Sequence, residues 1–311
     1  MDLVTDQAPP LTEERSSFWG RISATRGALI GWAVASMIGN ILIIVTGAVV
    51  RLTESGLGCP TWPRCQPDSY VPRSGLGHHQ FIEFGNRLLT FVLIFLAIMV
   101  FVAAVRTHAD RLTRRIAFWA GLGIPFQGVI GGITVLTDLN PWVVALHLML
   151  SLVLVAALTK LVLHVAGSAS VPVPALALWA SRAAFAGMMV ACWLGTVVTG
   201  SGPHSGDGGA KRTGLDIPSV ARIHSLSVWF TVLCTLVALY ALRRAGSAAV
   251  KWAAILLGVE LVQGAIGYYQ YFNGVPIVAV LMHMVGAGVA VAAAAALFFS
   301  VRGEGEPATI A

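Results

Sequence analysis

The stretch LLTFVLIFLAIMVFVAAV at residues 88–105 contains no charged side chain over 18 positions. A run of this length and composition is typical of a helix that crosses a lipid bilayer, which takes about 20 residues. The rest of the chain is similar, because 57% of the 311 residues are hydrophobic and only 11% are charged. Soluble domains carry about 25% charged residues, so the composition excludes that class.

Eight stretches are long and apolar enough to cross a bilayer, and they predict an all-α membrane protein with eight transmembrane helices. The predicted spans are Leu29–Val50, Phe81–Val105, Ile116–Leu136, Trp142–Val165, Ala183–Gly200, Val220–Leu242, Trp252–Phe272 and Ile277–Ser300.

The distribution of Lys and Arg predicts the orientation. With the N-terminus in the cytoplasm, thirteen of these residues fall in inner segments and five in outer loops, and cytoplasmic loops are the ones that carry such an excess. We therefore expect a multi-pass protein of the cell membrane with both termini in the cytoplasm. The net charge of +6 reflects this topology and contact with anionic lipid, and no nucleic-acid partner is expected.

The chain repeats itself. FQGVIG at 126–131 resembles VQGAIG at 262–267, and the 20 residues that separate Gln127 from His147 also separate Gln263 from His283. Four spans per half give two halves of parallel orientation, so we predict two pseudo-symmetric four-helix bundles. The predicted boundaries are a cytoplasmic tail at 1–28, the N-terminal bundle at 29–166, an inner linker at 167–182, the C-terminal bundle at 183–300 and a cytoplasmic tail at 301–311.

The repeat aligns four polar candidates near the outer ends of their spans. The second and fourth helices of the halves supply Asn86 with His147, and His224 with His283. Polar side chains at such a depth are costly and usually face the bundle interior. A lone intramembrane His is more often a packing residue, but two at matching depth on neighbouring helices predict a ligand site.

Two facing imidazoles suit haem iron, with one axial nitrogen from each side, whereas zinc takes three or four protein ligands. His224 and His283 therefore predict a six-coordinate haem that suits electron transfer. In the first half, Asn86 is a poor iron ligand, so iron on His147 keeps an open position. One electron-transfer haem and one reactive haem suggest an oxidoreductase. The cations that can meet haem propionates near the outer face are Arg51, Arg87 and Arg222, although Arg222 suits snorkelling to the interface equally well.

The cysteines divide into two groups. Cys192 and Cys234 fall inside spans and are expected to act as small apolar fillers. Cys59 and Cys65 lie in the first outer loop, where disulfides persist. A structural disulfide is the simpler interpretation of this pair, and a redox-active pair is the alternative.

Three motifs, together with these histidines, resemble the haem A synthase family: TGAVVRLTESGLGCPTWPRC (46–65), IEFGNR (82–87) and TGSGPHSGD (199–207). The resemblance covers all eight spans. It implies oxidation of a porphyrin methyl group of haem O to a formyl group, which gives haem A for haem-copper oxidases. It also implies a haem b cofactor between His224 and His283, a substrate haem in the N-terminal half, and a haem O-supplying farnesyltransferase as a partner.

Within this resemblance, Glu83 matches a glutamate that the family needs for activity, and it lies one turn from Asn86. A carboxyl group there can shuttle protons while Arg87 balances its charge. The alternative is an i, i+4 ion pair in which Glu83 and Arg87 only neutralise one another. Two departures from the family pattern are the Asn at 86, where many members have His, and the lack of a second cysteine pair between the fifth and sixth spans.

Two other classes compete with the enzyme. A di-haem electron-transfer cytochrome would be expected to carry complete ligand pairs, which Asn86 opposes. A transporter tends to place its substrate site at broken helices near the midplane, whereas these polar residues lie near the outer face. Glu260 with Gln263 in the seventh span is predicted to make helix–helix hydrogen bonds.

Overall fold

The computed structural model describes residues 18–73, 77–204 and 206–306, most of which are helical. Within them, eight long helices follow a short one, and all eight are long and apolar enough to cross a membrane. The all-α class with eight membrane-crossing helices is therefore confirmed. In chain order the helices are α1 Phe18–Ser23, α2 Arg26–Leu52, α3 Gly77–Arg106, α4 Arg111–Leu136, α5 Pro141–Val165, α6 Ala175–Ser201, α7 Ile217–Arg244, α8 Val250–Phe272 and α9 Ile277–Ser300.

The largest difference from the predicted boundaries is at the start of α6. This helix begins at Ala175, so residues 175–182, predicted as part of the inner linker, are helical. Proline disfavours the helical conformation in the residue before it, so Pro174 ends the extended segment and α6 starts directly after it. Residues 1–17 and 307–311 of the two predicted tails lie outside the described residues.

The long helices pack in two rings of four. In the first ring α2 and α4 each contact α3 and α5, and in the second α6 and α8 each contact α7 and α9. The rings meet where α9 packs against α2 and α5, and where α5 packs against α6. Small residues let these backbones approach closely; a methyl carbon built on Gly288 of α9 would lie 3.0 Å from Ile41 of α2. Two pseudo-symmetric bundles remain a prediction, which this packing supports.

A small parallel sheet ties the linker to the C-terminal segment. Strand β1, Val171–Val173, pairs with strand β2, Val301–Gly303, and Arg302 donates to the Ser170 carbonyl at 3.4 Å. The end of the first four long helices and the end of the second four therefore lie together. Two halves of parallel orientation would end on the same side of the membrane, which agrees with this pairing.

The outer surface of the helices is apolar. Large side chains such as Phe91, Trp119, Leu226 and Phe272 are exposed. Soluble monomers rarely expose contiguous apolar surface on this scale, so these faces are suited to contact lipid. The chain is a multi-pass membrane protein.

Asp110 stabilises the start of α4 and joins it to the end of α5. Its Oδ1 accepts from the Thr113 backbone N–H at 2.7 Å, and its Oδ2 lies 2.7 Å from His164 Nε2. Burial disfavours the charged form of this carboxyl, but the hydrogen bonds from Thr113 and the contact with His164 outweigh burial and lower its pKa. A lowered pKa means that the charged carboxyl stabilises the folded state at neutral pH.

We expect Asp110→Ala to lower the free energy of unfolding by about 1–2 kcal/mol, because it removes both the cap and the His164 partner. Asp110→Asn keeps a capping oxygen and should lose less. Thermal melting of the purified protein in detergent measures both. The deficit of the Ala variant should begin to shrink as the pH falls below the ordinary Asp value of about 3.9, where the carboxyl of the unfolded chain binds a proton, and it should disappear as the folded carboxyl is protonated at still lower pH. An equal deficit at low and neutral pH would contradict this account.

Candidate functional site

A cavity of about 510 Å³ lies among the helices of the first ring. Helices α2, α3, α4 and α5 form most of its wall, α6 adds Thr196 and Thr199, and α9 adds Met284. Its size falls in the range of ligand pockets, about 300–1,000 Å³. Five of the residues that the sequence singled out line it, namely Arg51, Glu83, Asn86, Arg87 and His147.

His147 and Asn86 line the cavity from α5 and α3. These helices are diagonal in the ring, as α7 and α9 are in the second ring; the prediction that paired ligands lie on neighbouring helices was wrong. Diagonal helices leave the bundle centre between their side chains, where a flat ligand can lie. Asn86 Oδ1 accepts a hydrogen bond from Thr46 Oγ1 of α2 at 2.7 Å, and Gln127 of α4 donates to the His147 carbonyl at 3.0 Å.

The imidazoles fit axial ligation of haem iron. His224 Nδ1 lies 3.0 Å from the Ala191 carbonyl oxygen. Because a carbonyl only accepts, Nδ1 carries the hydrogen and Nε2 keeps its lone pair for a metal. In metal sites, a hydrogen bond from the ring nitrogen that does not bind the metal usually orients the imidazole.

His147 and His283 differ from His224 in the hydrogen bonding of their rings. Their Nδ1 atoms are buried without a hydrogen-bond partner among the described residues, so Nε2 is the ring nitrogen that a metal could reach. Each ring packs against a glycine sixteen residues earlier in the chain: a methyl carbon on Gly131 or Gly267 would lie 3.4 or 3.7 Å from Cε1 of the corresponding His. The repeat therefore preserves the surroundings of both rings.

Glu83 and Arg87 together anchor the loop that follows α2. Glu83 Oε1 accepts from Arg87 Nη2 at 2.5 Å, and Oε2 accepts from the Cys59 backbone N–H at 2.6 Å. Arg87 also donates to the carbonyls of Cys59 at 2.9 Å and Thr61 at 3.0 Å. The pair is thus more than a self-neutralising i, i+4 contact. Both carboxylate oxygens are engaged, and Glu83 is only 4% exposed.

The anchored loop forms a roof over the cavity. Cys59 and Cys65 are joined by a disulfide, and both are fully buried. Between them, Trp62 and Pro63 line the cavity. The indole of Trp62 lies directly against α4 at Gly132, where a methyl carbon would be 2.4 Å from the ring. Only a residue without a side chain permits this contact.

The polar end of the cavity is cationic. Arg51, Arg87 and Lys211 all line it. Glu83 neutralises Arg87, whereas the side chains of Arg51 and Lys211 form no ion pair with any residue in the described parts of the chain. Arg222 is exposed on α7 and does not line this cavity. The cavity therefore offers two uncompensated cations to an anionic ligand.

Sequence reasoning missed several residues of this site, among them Thr46, Trp62, Lys211 and Met284. Trp62 stands inside a recognised motif, so its aromatic ring next to Pro63 was a usable signal. Lys211 lies in the loop after α6 and Met284 in α9, far from the first four spans in the chain. Their approach to the cavity depends on packing between the rings, which has no local signal.

Comparison with known proteins places these features in a family context. Residues 31–203 match the COX15-CtaA family, described as "Cytochrome oxidase assembly protein". The "Heme A synthase" of Lysinibacillus sphaericus is 35% identical over 135 residues, covering 42% of this chain and 42% of the relative. That of Geobacillus thermodenitrificans is 30% identical over 117 residues, with coverage of 36% and 34%. That of Staphylococcus epidermidis is 28% identical over 120 residues, with coverage of 38% of each chain. The chain thus spans less than half the length of these curated relatives.

We expect Gly132→Ala to displace Trp62 and loosen the roof, because the new methyl group would overlap the indole. The buried Cys59–Cys65 disulfide should then react faster with a water-soluble phosphine. Timed reduction followed by thiol alkylation and mass spectrometry measures the rate.

Gly128→Ala is the matched control one turn away on α4. A methyl carbon there would lie 3.8 Å from Thr90, an ordinary contact, so reduction should proceed as in the wild type. Equal rates in the two variants would show that Trp62 does not hold the roof in place.

Proposed function

From the premise that the chain belongs to the COX15-CtaA family, we propose that it is a haem A synthase, which oxidises a porphyrin methyl group of haem O to a formyl group. The observation that carries the proposal is the cavity of about 510 Å³ with His147 and Asn86 on diagonal helices and cations at its polar end. A porphyrin needs this combination: an imidazole for the iron, apolar walls for the ring and cations for the propionates. The names of the relatives support the same activity.

In this proposal the first ring binds the substrate haem. His147 supplies the axial nitrogen, and Asn86, held by Thr46, leaves the opposite side of the iron open while offering a polar group to it. Arg51 and Lys211 hold the propionates, and Arg87 contributes beside them. The disulfide-closed roof with Trp62 excludes water from the porphyrin face.

The second ring is proposed to hold haem b, and His224 and His283 are the residues that would hold its iron. The hydrogen bond to the Ala191 carbonyl orients His224 for this role. The imidazoles of His224 and His283 each pack against a glycine of an adjacent helix. Arg222, two residues before His224, can reach propionates at the membrane surface. Bound haem supplies the one-electron and oxygen chemistry of the reaction, and the protein supplies position, charge and proton transfer.

Topology and partners complete the proposal. The excess of Lys and Arg in the inner segments favours cytoplasmic termini, which puts the cavity and its disulfide toward the outer face, where disulfides persist. A farnesyltransferase would supply haem O, and haem-copper oxidase assembly would consume haem A. The electron donor or acceptor is unassigned.

Pigment analysis tests this proposal. The protein is co-expressed with a haem O-supplying enzyme and purified, and its pigments are extracted and separated. We expect haem b together with haem O or haem A in the wild type. His283→Ala should lose the low-spin haem b spectrum, because the iron keeps one axial ligand, whereas His147→Ala should keep that spectrum and lose haem O and haem A. Haem b alone in the wild type would indicate the electron-transfer cytochrome, and absence of haem would overturn both.

The role of Glu83 requires a comparison of two variants, since its carboxylate is also an anchor of the roof. Both partners of Glu83 are donors, so in Glu83→Gln the amide NH2 must face either the Cys59 N–H or Arg87 and loses that hydrogen bond. The roof should then loosen, and we expect the same loosening in Arg87→Gln. If Glu83 also transfers protons, haem A formation should fall by a further hundred- to ten-thousand-fold, about the contribution of a general acid–base. The measurement is the haem A to haem O ratio alongside the disulfide reduction rate. Equal losses of haem A in both variants would make Glu83 a roof anchor only.

A further inference from the structure

Glu260 is a buried carboxyl group in α8 that the proposed reaction does not use. It is 3% exposed, and Thr235 of α7 donates to its Oε1 at 2.9 Å, so the predicted helix–helix hydrogen bond of Glu260 is present. Its Oε2 is buried without a hydrogen-bond partner among the described residues. Ionisable groups inside a membrane protein are costly and usually functional.

The hydrogen bonds around Glu260 accommodate a proton. Thr235 has one hydroxyl hydrogen and two acceptors within reach, Glu260 Oε1 at 2.9 Å and the Thr231 carbonyl at 3.1 Å. If Glu260 is ionised, the Thr235 hydroxyl must donate to its Oε1, and Oε2 stays unsatisfied. If Glu260 is protonated, it can donate to Thr235, which then donates to the carbonyl. Oε1 therefore has a hydrogen bond to Thr235 whether Glu260 is ionised or protonated. Protonation also removes the buried charge.

A row of hydroxyl groups lies along α7 between His224 and the region of Glu260. Ser227, Thr231 and Thr235 follow His224 along one face of α7 at spacings of three or four residues. Ser227 donates to the His224 carbonyl at 2.6 Å, and Thr231 donates to the Ser227 carbonyl at 2.8 Å. The row gives polar groups at each turn between His224 and Glu260.

The first ring shows that the architecture does not require these polar groups. In the repeat that aligns His224 with Asn86 and His283 with His147, the counterparts of Thr231, Thr235 and Glu260 are Leu93, Ala97 and Ile124. These three form an apolar core cluster. The same helix packing is therefore built from apolar residues in one half and from hydroxyls and a carboxyl in the other. Packing alone does not explain the polar set.

We propose that Glu260 binds a proton when the haem held by His224 and His283 is reduced, which rests on the proposed function of the second ring. Glu260 lies seven residues from Gly267, the contact of His283, or about 10 Å along α8. An iron held by His283 would therefore lie in the same bundle as Glu260, and a change of its charge would act on the carboxylate through a medium of lower dielectric than water. The iron gains one electron from a one-electron reductant, Glu260 gains one proton from water, and the net charge of the bundle is unchanged.

Few other titratable groups face Glu260. The helices packed against α8 are α7 and α9. From α7, Cys234 is close enough to interact electrostatically with Glu260, and the one titratable residue of α9 is His283, the proposed ligand. Cys234 therefore provides a control, since it is the titratable neighbour of Glu260 on α7.

Redox titration of the purified holoprotein, poised with dithionite and ferricyanide at a series of pH values, tests the proposal. Coupling of one proton to one electron changes the reduction equilibrium tenfold per pH unit, which is about 59 mV. We expect the midpoint potential of haem b to fall by nearly this amount for each unit that the pH rises, both in the wild type and in Cys234→Ser. Glu260→Gln should flatten the slope, and Glu260→Asp should retain it.

Infrared spectroscopy gives a second readout. The reduced-minus-oxidised difference spectrum should contain a protonated-carboxyl band that is absent from Glu260→Gln. A low-spin haem whose potential is independent of pH in the wild type, or whose slope is unchanged in Glu260→Gln, would overturn this inference alone. A wild-type protein without low-spin haem would overturn the proposed function of the second ring, and this inference with it.

Discussion

In the hydrocarbon core of a bilayer, every backbone N–H and C=O must find its partner within the protein. That constraint makes each apolar run a helix, and it also makes each remaining polar side chain costly. Asn86, His147, His224, His283 and Glu260 can be present only where another helix, a cavity or a ligand receives them. The two rings of helices provide such interiors. The chemistry proposed for this protein depends on the few polar groups that the rings enclose.

The two halves share one arrangement of helices but enclose different side chains. The fourth long helix of each half carries a histidine packed on a glycine sixteen residues earlier, and this pair has the same geometry in both rings. Opposite these histidines the halves diverge, with Asn86 in one and His224 in the other. Beneath those positions they diverge again, since Leu93, Ala97 and Ile124 correspond to Thr231, Thr235 and Glu260. A duplicated framework thus encloses a cavity in one ring and carries buried polar groups in the other.

The roof of the first ring joins covalent and electrostatic constraints. The disulfide closes a short loop, and the Glu83–Arg87 pair binds the backbone of that loop at Cys59 and Thr61. Charge-assisted hydrogen bonds in a buried site are strong and directional, so the loop is held over the cavity in one position. The carboxylate proposed for proton transfer is therefore also a structural element, and any mechanism must account for the bonds it already makes.

The sequence alone determined the eight helices, their order, the duplicated spacing and the histidine positions, because hydropathy and residue spacing are local properties of the chain. It placed Glu83 beside Arg87 for the same reason, since residues four apart on a helix are neighbours. It missed the contacts of Glu83 with Cys59, of Thr46 with Asn86 and of Trp62 with Gly132, and it placed the paired ligands on neighbouring rather than diagonal helices. Those features depend on which helix faces are turned toward one another across the ring. Helix packing decides this through the close approach of small residues and the fit of side chains between helices, and neither is visible in the periodicity of a single segment.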